Sequence, residues 1–121
     1  MVRKALLAVL FLAFGSVTVL AADFNGKWTA EFDTQIGMQK YTYEFHVDGT
    51  TVTGKAINEH GQAAITEGKI DGDSITFVEM FNFNGTDIKI TYTGKIKGDE
   101  IKFTRQVGDF ATEELTAKRV K

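Results

Sequence analysis

Gly68-Lys69-Ile70-Asp71-Gly72-Asp73-Ser74-Ile75-Thr76-Phe77 returns 26 residues later as Gly94-Lys95-Ile96-Lys97-Gly98-Asp99-Glu100-Ile101-Lys102-Phe103. In each copy an x-Gly pair, Asp71-Gly72 or Lys97-Gly98, supplies the φ > 0 residues of a two-residue turn, and alternating Ile and Phe on either side give strands of period two. Each copy reads as a β-hairpin. Phe45-His46-Val47-Asp48-Gly49-Thr50-Thr51-Val52-Thr53-Gly54 is a looser third copy.

Working outward, turn signals fall near residues 34–39, 48–49, 59–61, 71–72, 84–85, 97–98 and 107–109, and proline is absent. No helical period appears after residue 22. Seven turns predict eight strands at a spacing of about 12 residues, the rhythm of an up-and-down meander. Asn84-Gly85-Thr86 also matches a glycosylation sequon, but Asn-Gly between two alternating runs is a hairpin tip.

A two-residue loop pairs the residues that flank it, and every second pair outward shares a face. Asp71-Gly72 then pairs Gly68 with Ile75, Thr66 with Phe77 and Ala64 with Glu79. Asn84-Gly85 pairs Phe81 with Ile88, Glu79 with Ile90, Phe77 with Tyr92 and Ile75 with Gly94. Lys97-Gly98 pairs Gly94 with Ile101, Tyr92 with Phe103 and Ile90 with Arg105. Asp48-Gly49 pairs Phe45 with Val52, Tyr43 with Gly54 and Tyr41 with Ala56. A three-residue turn Glu59-His60-Gly61 pairs Ala56 with Ala64. The first strand offers Trp28, Ala30 and Phe32 to the same face. For the last strand, a three-residue loop Val107-Gly108-Asp109 turns Ala111, Glu113, Leu115, Ala117 and Arg119 inward, whereas a two-residue loop inverts them; burial of Leu115 favours the first. One apolar face thus runs through successive hairpins without a slip. A flat sheet would leave that face wet, so the expectation is an all-β, eight-stranded antiparallel meander closed into a small barrel. Large residues facing small ones, Tyr43 and Gly54 or Tyr41 and Ala56, leave it open whether aromatics fill the interior or a cavity remains.

The N-terminus carries a different signal. Met1-Val2-Arg3-Lys4 precedes an uncharged apolar run, Ala5 to Leu20, of 16 residues, ending in the small-x-small pattern Val19-Leu20-Ala21. That pattern is a secretory signal peptide, residues 1–21, and the run is shorter than the roughly 20 residues of a membrane-spanning helix. The mature protein is then one domain, residues 22–121. Removing Arg3 and Lys4 from the 14 basic side chains leaves 12 against 16 acidic ones, a net charge of −4. This argues against nucleic acid as a partner. The absence of cysteine removes disulfides, a lipid-anchored N-terminal Cys and thiolate metal sites at once. A bacterial periplasmic or extracellular location follows, since other secreted domains of this size usually carry staples.

At Gly26-Lys27-Trp28, opening the first strand, the chain resembles the calycin group of small barrels: lipocalins, avidins and fatty-acid-binding proteins. In that group a Gly-x-Trp seals the closed end, and in lipocalins an Arg from the last strand packs over the Trp. The resemblance implies that role for Gly26, Trp28 and Arg119, and it implies interior ligand binding. A single Trp, where avidins use several, argues against biotin. The stretch from Trp28 to Arg119 is also similar to a small domain of secreted bacterial proteins, sometimes appended to glycoside hydrolases or esterases, which implies context more than chemistry.

Glu79 and Arg105 stand out, because both fall on the inward phase, on either side of Ile90. Two strand spacings separate their backbones by about 9.5 Å, within reach of long side chains. A charge facing a barrel interior is costly unless paired or solvated. They form either an internal ion pair or a polar clamp in which Arg105 grips a ligand's acceptor, with Tyr41, Tyr43 and Tyr92 as wall and hydroxyls and Glu113 beside them.

Catalysis finds little support. Ser74, the one serine after residue 21, faces outward beside a turn, which disfavours a serine triad. Glu79 and Glu113 as a glycosidase pair is a remote option. His46, outward between Glu44 and Asp48, and His60, in a turn, do not make a metal site without cysteine, and Asp71, Asp73 and Asp99 read as turn formers. Ile57, Ile65, Val78 and Met80 form an apparent outer apolar patch on adjacent strands, a candidate dimer or partner face.

The leading reading is a secreted, non-catalytic barrel, without metal or cofactor, that binds a small amphipathic or acidic ligand inside. The alternative is a filled barrel acting as an interaction or accessory module, carbohydrate-related in one version, through its outer patch.

Overall fold

The computed structural model describes residues 23–121, so the expected signal peptide, residues 1–21, lies outside the described residues. Eight strands follow in chain order: β1 (Gly26–Thr34), β2 (Gly37–Asp48), β3 (Thr51–Asn58), β4 (Gly61–Asp71), β5 (Ser74–Phe83), β6 (Thr86–Lys97), β7 (Glu100–Val107) and β8 (Ala111–Arg119). Each pairs antiparallel with the next, and β8 returns to β1 to close the barrel. The closing seam is short, with Trp28 opposite Arg119 and Thr29 opposite Lys118.

The turns explain both where the expected register holds and where it moves. Gly49, Gly72 and Gly98 occupy the first loop position, with φ of 66°, 62° and 63°, and none of the residues that follow them has positive φ. This is the Gly-X order of a II′ turn, so the loops are Gly49-Thr50, Gly72-Asp73 and Gly98-Asp99. Each loop therefore starts one residue later than expected and its rungs move by two, which leaves every side chain on its face. Phe45 meets Gly54 and Tyr43 meets Ala56; Gly94 meets Phe103 and Tyr92 meets Arg105. At Asn84-Gly85 both residues have positive φ, the I′ pattern, and all four expected pairs across that turn are present. The β7–β8 loop has three residues, Gly108-Asp109-Phe110, and turns Ala111, Glu113, Leu115 and Ala117 inward.

β4 departs from expectation. The β3–β4 loop has two residues, pairing Ala56 with Ala63 instead of Ala64. A bulge then interrupts the β4–β5 ladder between Thr66 and Lys69, where Glu67 adopts a φ of 52°. One extra residue inverts the faces on its far side. Ile65, expected outside, is buried in the core opposite Glu79, while Ala64 and Thr66, expected inside, face out.

The interior is packed in its lower half, beside loops 49–50, 72–73 and 98–99. Phe77 stacks on Tyr92 at 4.4 Å, and Tyr43 and Phe103 meet this pair edge-on at 5.5–6.2 Å and each other tilted at 5.9 Å. Ile75, Ile101 and Ala117 fill between the rings with no exposure. Such packing works because Gly94 gives room to the Phe103 ring, where a Cβ would collide. Gly54 does the same for backbone: its φ is 149°, and a Cβ there would strike the Glu44 carbonyl oxygen.

Phe24 and Trp28 plug this end. The Trp28 indole N–H donates to the Phe24 carbonyl at 3.0 Å, and the Arg119 guanidinium lies 4.4 Å above the Trp28 ring. Arg119 also donates to the carbonyls of Asp23 and Asn25 and to Asp99, so one side chain ties the segment before β1 to the β6–β7 loop.

Candidate functional site

Above the aromatic stack the period-two face of five strands delivers polar groups instead of rings. β2 contributes Gln39, Tyr41 and Tyr43 in succession, β5 Glu79, β6 Tyr92, β7 Arg105 and β8 Glu113. Arg105 is the direct cross-strand neighbour of Tyr92 on one side and of Glu113 on the other. Glu79 sits opposite Ile90, one inward rung above Tyr92. Arg105 is therefore level with Tyr92, not with Ile90 as the expected turn position implied.

These groups form one network across the barrel. Tyr41 donates from its hydroxyl to Glu79 Oε2 at 2.8 Å, and Tyr92 donates to Glu79 Oε1 at 2.9 Å. The Tyr43 hydroxyl bonds that of Tyr92 at 2.9 Å. Arg105 donates from Nε to the Tyr92 hydroxyl at 2.8 Å, from Nη2 to the Tyr41 hydroxyl at 2.9 Å and from Nη1 to Glu113 Oε1 at 2.5 Å. Its Nη2 is 4.0 Å from Glu79 Oε1, and its guanidinium lies 5.1–5.7 Å from the rings of Phe32, Tyr41 and Tyr92. Glu79 and Arg105 are 2% and 4% exposed, yet among the described residues no side-chain nitrogen or oxygen fully cut off from solvent lacks a partner. Satisfaction on this scale is what allows charge inside a small barrel.

The electrostatics follow from burial. Removal from water raises the Glu79 carboxyl above the usual carboxylate range, against the pull of Arg105 and the two tyrosine hydroxyls. Burial likewise lifts the Tyr41, Tyr43 and Tyr92 phenols above their ordinary value. For Arg105 burial opposes the charge, but the oxygens of Tyr92, Tyr41 and Glu79 outweigh it and hold the guanidinium protonated.

Over this floor lies a cavity of about 230 Å³ that reaches the loops 35–36 and 108–110. Its walls are apolar, from Phe81, Ile88, Ile90 and Val107, and its rim carries Ile36 and Phe110, 46% and 66% exposed. Gln35 Nε2 donates to the Phe110 carbonyl at 3.3 Å and links the two rim loops. A recess of about 130 Å³ lies beside it, against Ala56, Asn58, Glu79 and Phe81.

Of the residues expected to bind ligand, Arg105, Tyr41 and Glu113 line the cavity and Glu79 lines the recess. Tyr43 and Tyr92 are fully covered and lie beneath the floor, where they support it without reaching open space. Gln39 went unread. It is 3% exposed and lines the cavity, and its position two residues before Tyr41 was the signal for it. The outer patch dissolves: Ile65 is in the core and Val78 is 6% exposed, which leaves half-buried Ile57 and exposed Met80. Among the described residues no group of three or more His, Asp or Glu is placed to hold a metal ion.

Neither a family model nor a curated protein matches the sequence. Among solved structures, a mutant of the fluorescent protein UnaG superposes with a TM-score of 0.50 at 15% identity, over 81% of this chain and 96% of that one. At that identity the likeness concerns the fold alone.

Proposed function

We propose that the protein is an exported, non-catalytic binding barrel that holds a small amphipathic molecule in the mouth cavity. The single observation that carries this reading is the cavity itself: about 230 Å³ of space with apolar walls, set on a floor of fixed hydrogen-bonding groups. Pockets for drug-sized molecules run from about 300 to 1,000 Å³, so the expected ligand is smaller than these. The floor is rigid because Tyr41, Glu79, Tyr92 and Arg105 are each held by two or more others, and a preformed floor orients a ligand at little entropic cost. Glu79 and Arg105 anchor that floor, Tyr41 and Glu113 present its upper surface, and Tyr43 and Tyr92 brace it from below.

A thermal-shift screen with short amphiphiles tests this directly. A ligand present at about 100 times its dissociation constant adds roughly 2.7 kcal/mol, a shift on the order of 10 °C in a domain of this size. Ala111→Trp, which projects a ring into the cavity from β8, should abolish the shift and leave the fold intact. A shift that persists in Ala111→Trp places the ligand elsewhere and removes this reading. Export is tested separately, by the mass of the protein recovered outside the cell, which should begin at Ala22.

A further inference from the structure

We propose that the cavity selects an amphiphile whose polar end is an uncharged hydrogen-bond donor and acceptor, a primary amide or an alcohol, and disfavours a carboxylate. The inference rests on the reading of the mouth cavity as a ligand site and assigns the chemistry of the ligand's head.

Among the described residues Arg105 is the only cationic side chain lining the cavity, and its three nitrogens are already engaged by the protein: Nε by Tyr92, Nη2 by Tyr41 and Nη1 by Glu113. Its charge faces two carboxylates, Glu113 in contact and Glu79 at 4.0 Å. A carboxylate ligand has to enter beside Glu113 and compete with it for one guanidinium. Two like charges then share a single cation in a wall of low polarity, which disfavours the ionised pair.

Two groups on the same floor remain unspent. Glu113 uses Oε1 for Arg105, and its Oε2 is an acceptor with no protein donor among the described residues. The Gln39 amide, in a side chain nine-tenths buried, lines the cavity and has no protein partner among the described residues. An ionised carboxylate oxygen only accepts, whereas a Gln amide both donates and accepts. The complementary head offers an N–H or O–H to Glu113 and a carbonyl or hydroxyl to Gln39. A primary amide meets both, and an alcohol meets both in turn through one atom. A wholly apolar guest leaves the Gln39 amide covered and unpaired, which makes it the poorer match.

Calorimetric titration at neutral pH with hexanamide, 1-hexanol and hexanoate tests this, the six-carbon tail being common to all. Hexanamide and 1-hexanol should bind the purified protein at least roughly tenfold more tightly than hexanoate, the worth of one good hydrogen bond. Gln39→Leu should weaken the two neutral ligands by a similar factor and keep the wild-type unfolding midpoint within a few degrees, because the Gln39 side chain has no hydrogen-bond partner among the described residues. Glu113→Gln should reverse the order, since it removes the competing charge and leaves Arg105 Nη1 facing only a neutral amide acceptor. Hexanoate binding as well as hexanamide in the wild type, or an order unchanged in Glu113→Gln, overturns the head-group inference and leaves the ligand site standing. If none of the three binds a protein that unfolds cooperatively, and the broader screen also yields no shift, the site reading itself fails.

Discussion

The two halves of this barrel are made by the same strands and obey opposite rules. Below Tyr92 the inward positions are rings and branched aliphatics, fully covered, locked by Phe24, Trp28 and Arg119. At its level and above, the inward positions include Gln39, Tyr41, Glu79, Arg105 and Glu113, with open space beyond them. β2 shows the change within one strand, since Phe45 and Tyr43 belong to the stack and Tyr41 and Gln39 to the floor. The lower half makes the barrel stable by excluding everything; the upper half keeps space at the cost of burying charge, which it tolerates because the charges are bonded to each other. Close packing and open space are thus separated along the barrel axis, on a single alternating pattern.

The largest effect expected from breaking this arrangement comes at Arg105. Arg105→Ala leaves Glu79 and Glu113 without a cation and removes the donor to two buried hydroxyls, so it should cost about 3–5 kcal/mol, measured by urea unfolding at neutral pH. Lowering the pH should recover part of that loss, because protonation discharges Glu79, whose carboxyl burial already raises. No loss would mean that water solvates the floor and that the contrast between the halves is only one of residue type.

A matched pair on β8 sharpens the contrast. Ala117 faces the stack with no exposure, whereas Ala111 faces the cavity. Ala117→Phe forces a ring into close-packed space and should cost at least 1–3 kcal/mol, while Ala111→Phe should change stability by less than about 0.5 kcal/mol. The same urea titration reads both, and equal costs would refute the division.

The smallest effect is a pH dependence. The folded-state pKa of Glu79 is raised by burial, so the folded protein holds this proton more tightly than the unfolded chain does. Its stabilising contribution is complete below the unfolded value of about 4.3 and is lost as pH rises through the folded value. Glu79→Gln should therefore show a shallower fall in stability from pH 4 upward than the wild type. A steeper fall in the variant would reverse the assignment of burial as the dominant influence on Glu79.

Much of this was legible in the sequence, for a reason that lies in the turns. Placing the loop at Asp71-Gly72 rather than Gly72-Asp73 shifts every rung by two, and a period-two strand keeps its faces under that shift. So the inward set on β1, β2 and β5 to β8 could be read correctly while the levels were not, and Arg105 was assigned to Ile90's rung when it occupies that of Tyr92. The bulge at Glu67 is a shift of one, which no face survives. Its neighbour Gly68 hints at it, since a Cβ there would strike the Val52 carbonyl oxygen, but only the folded backbone reveals that approach. The missing bulge also forced a third residue into the Glu59-His60 loop to restore the pattern. Together these two shifts put Ile65 on the outside and so added it to the outer patch. At the site, charges on the inward phase announced Glu79 and Arg105, whereas which hydroxyl meets which oxygen depends on levels that the pattern does not contain.

The central claim is that the mouth is a binding space and the closed end is solid core. A two-dimensional amide NMR titration with 1-hexanol measures both ends at once. The account predicts saturable shifts concentrated at Gln39, Tyr41, Ile90, Arg105 and Ala111, with Trp28, Ile75 and Ala117 unmoved. Shifts spread over the outer surface, or none at any concentration that leaves the protein folded, would contradict it.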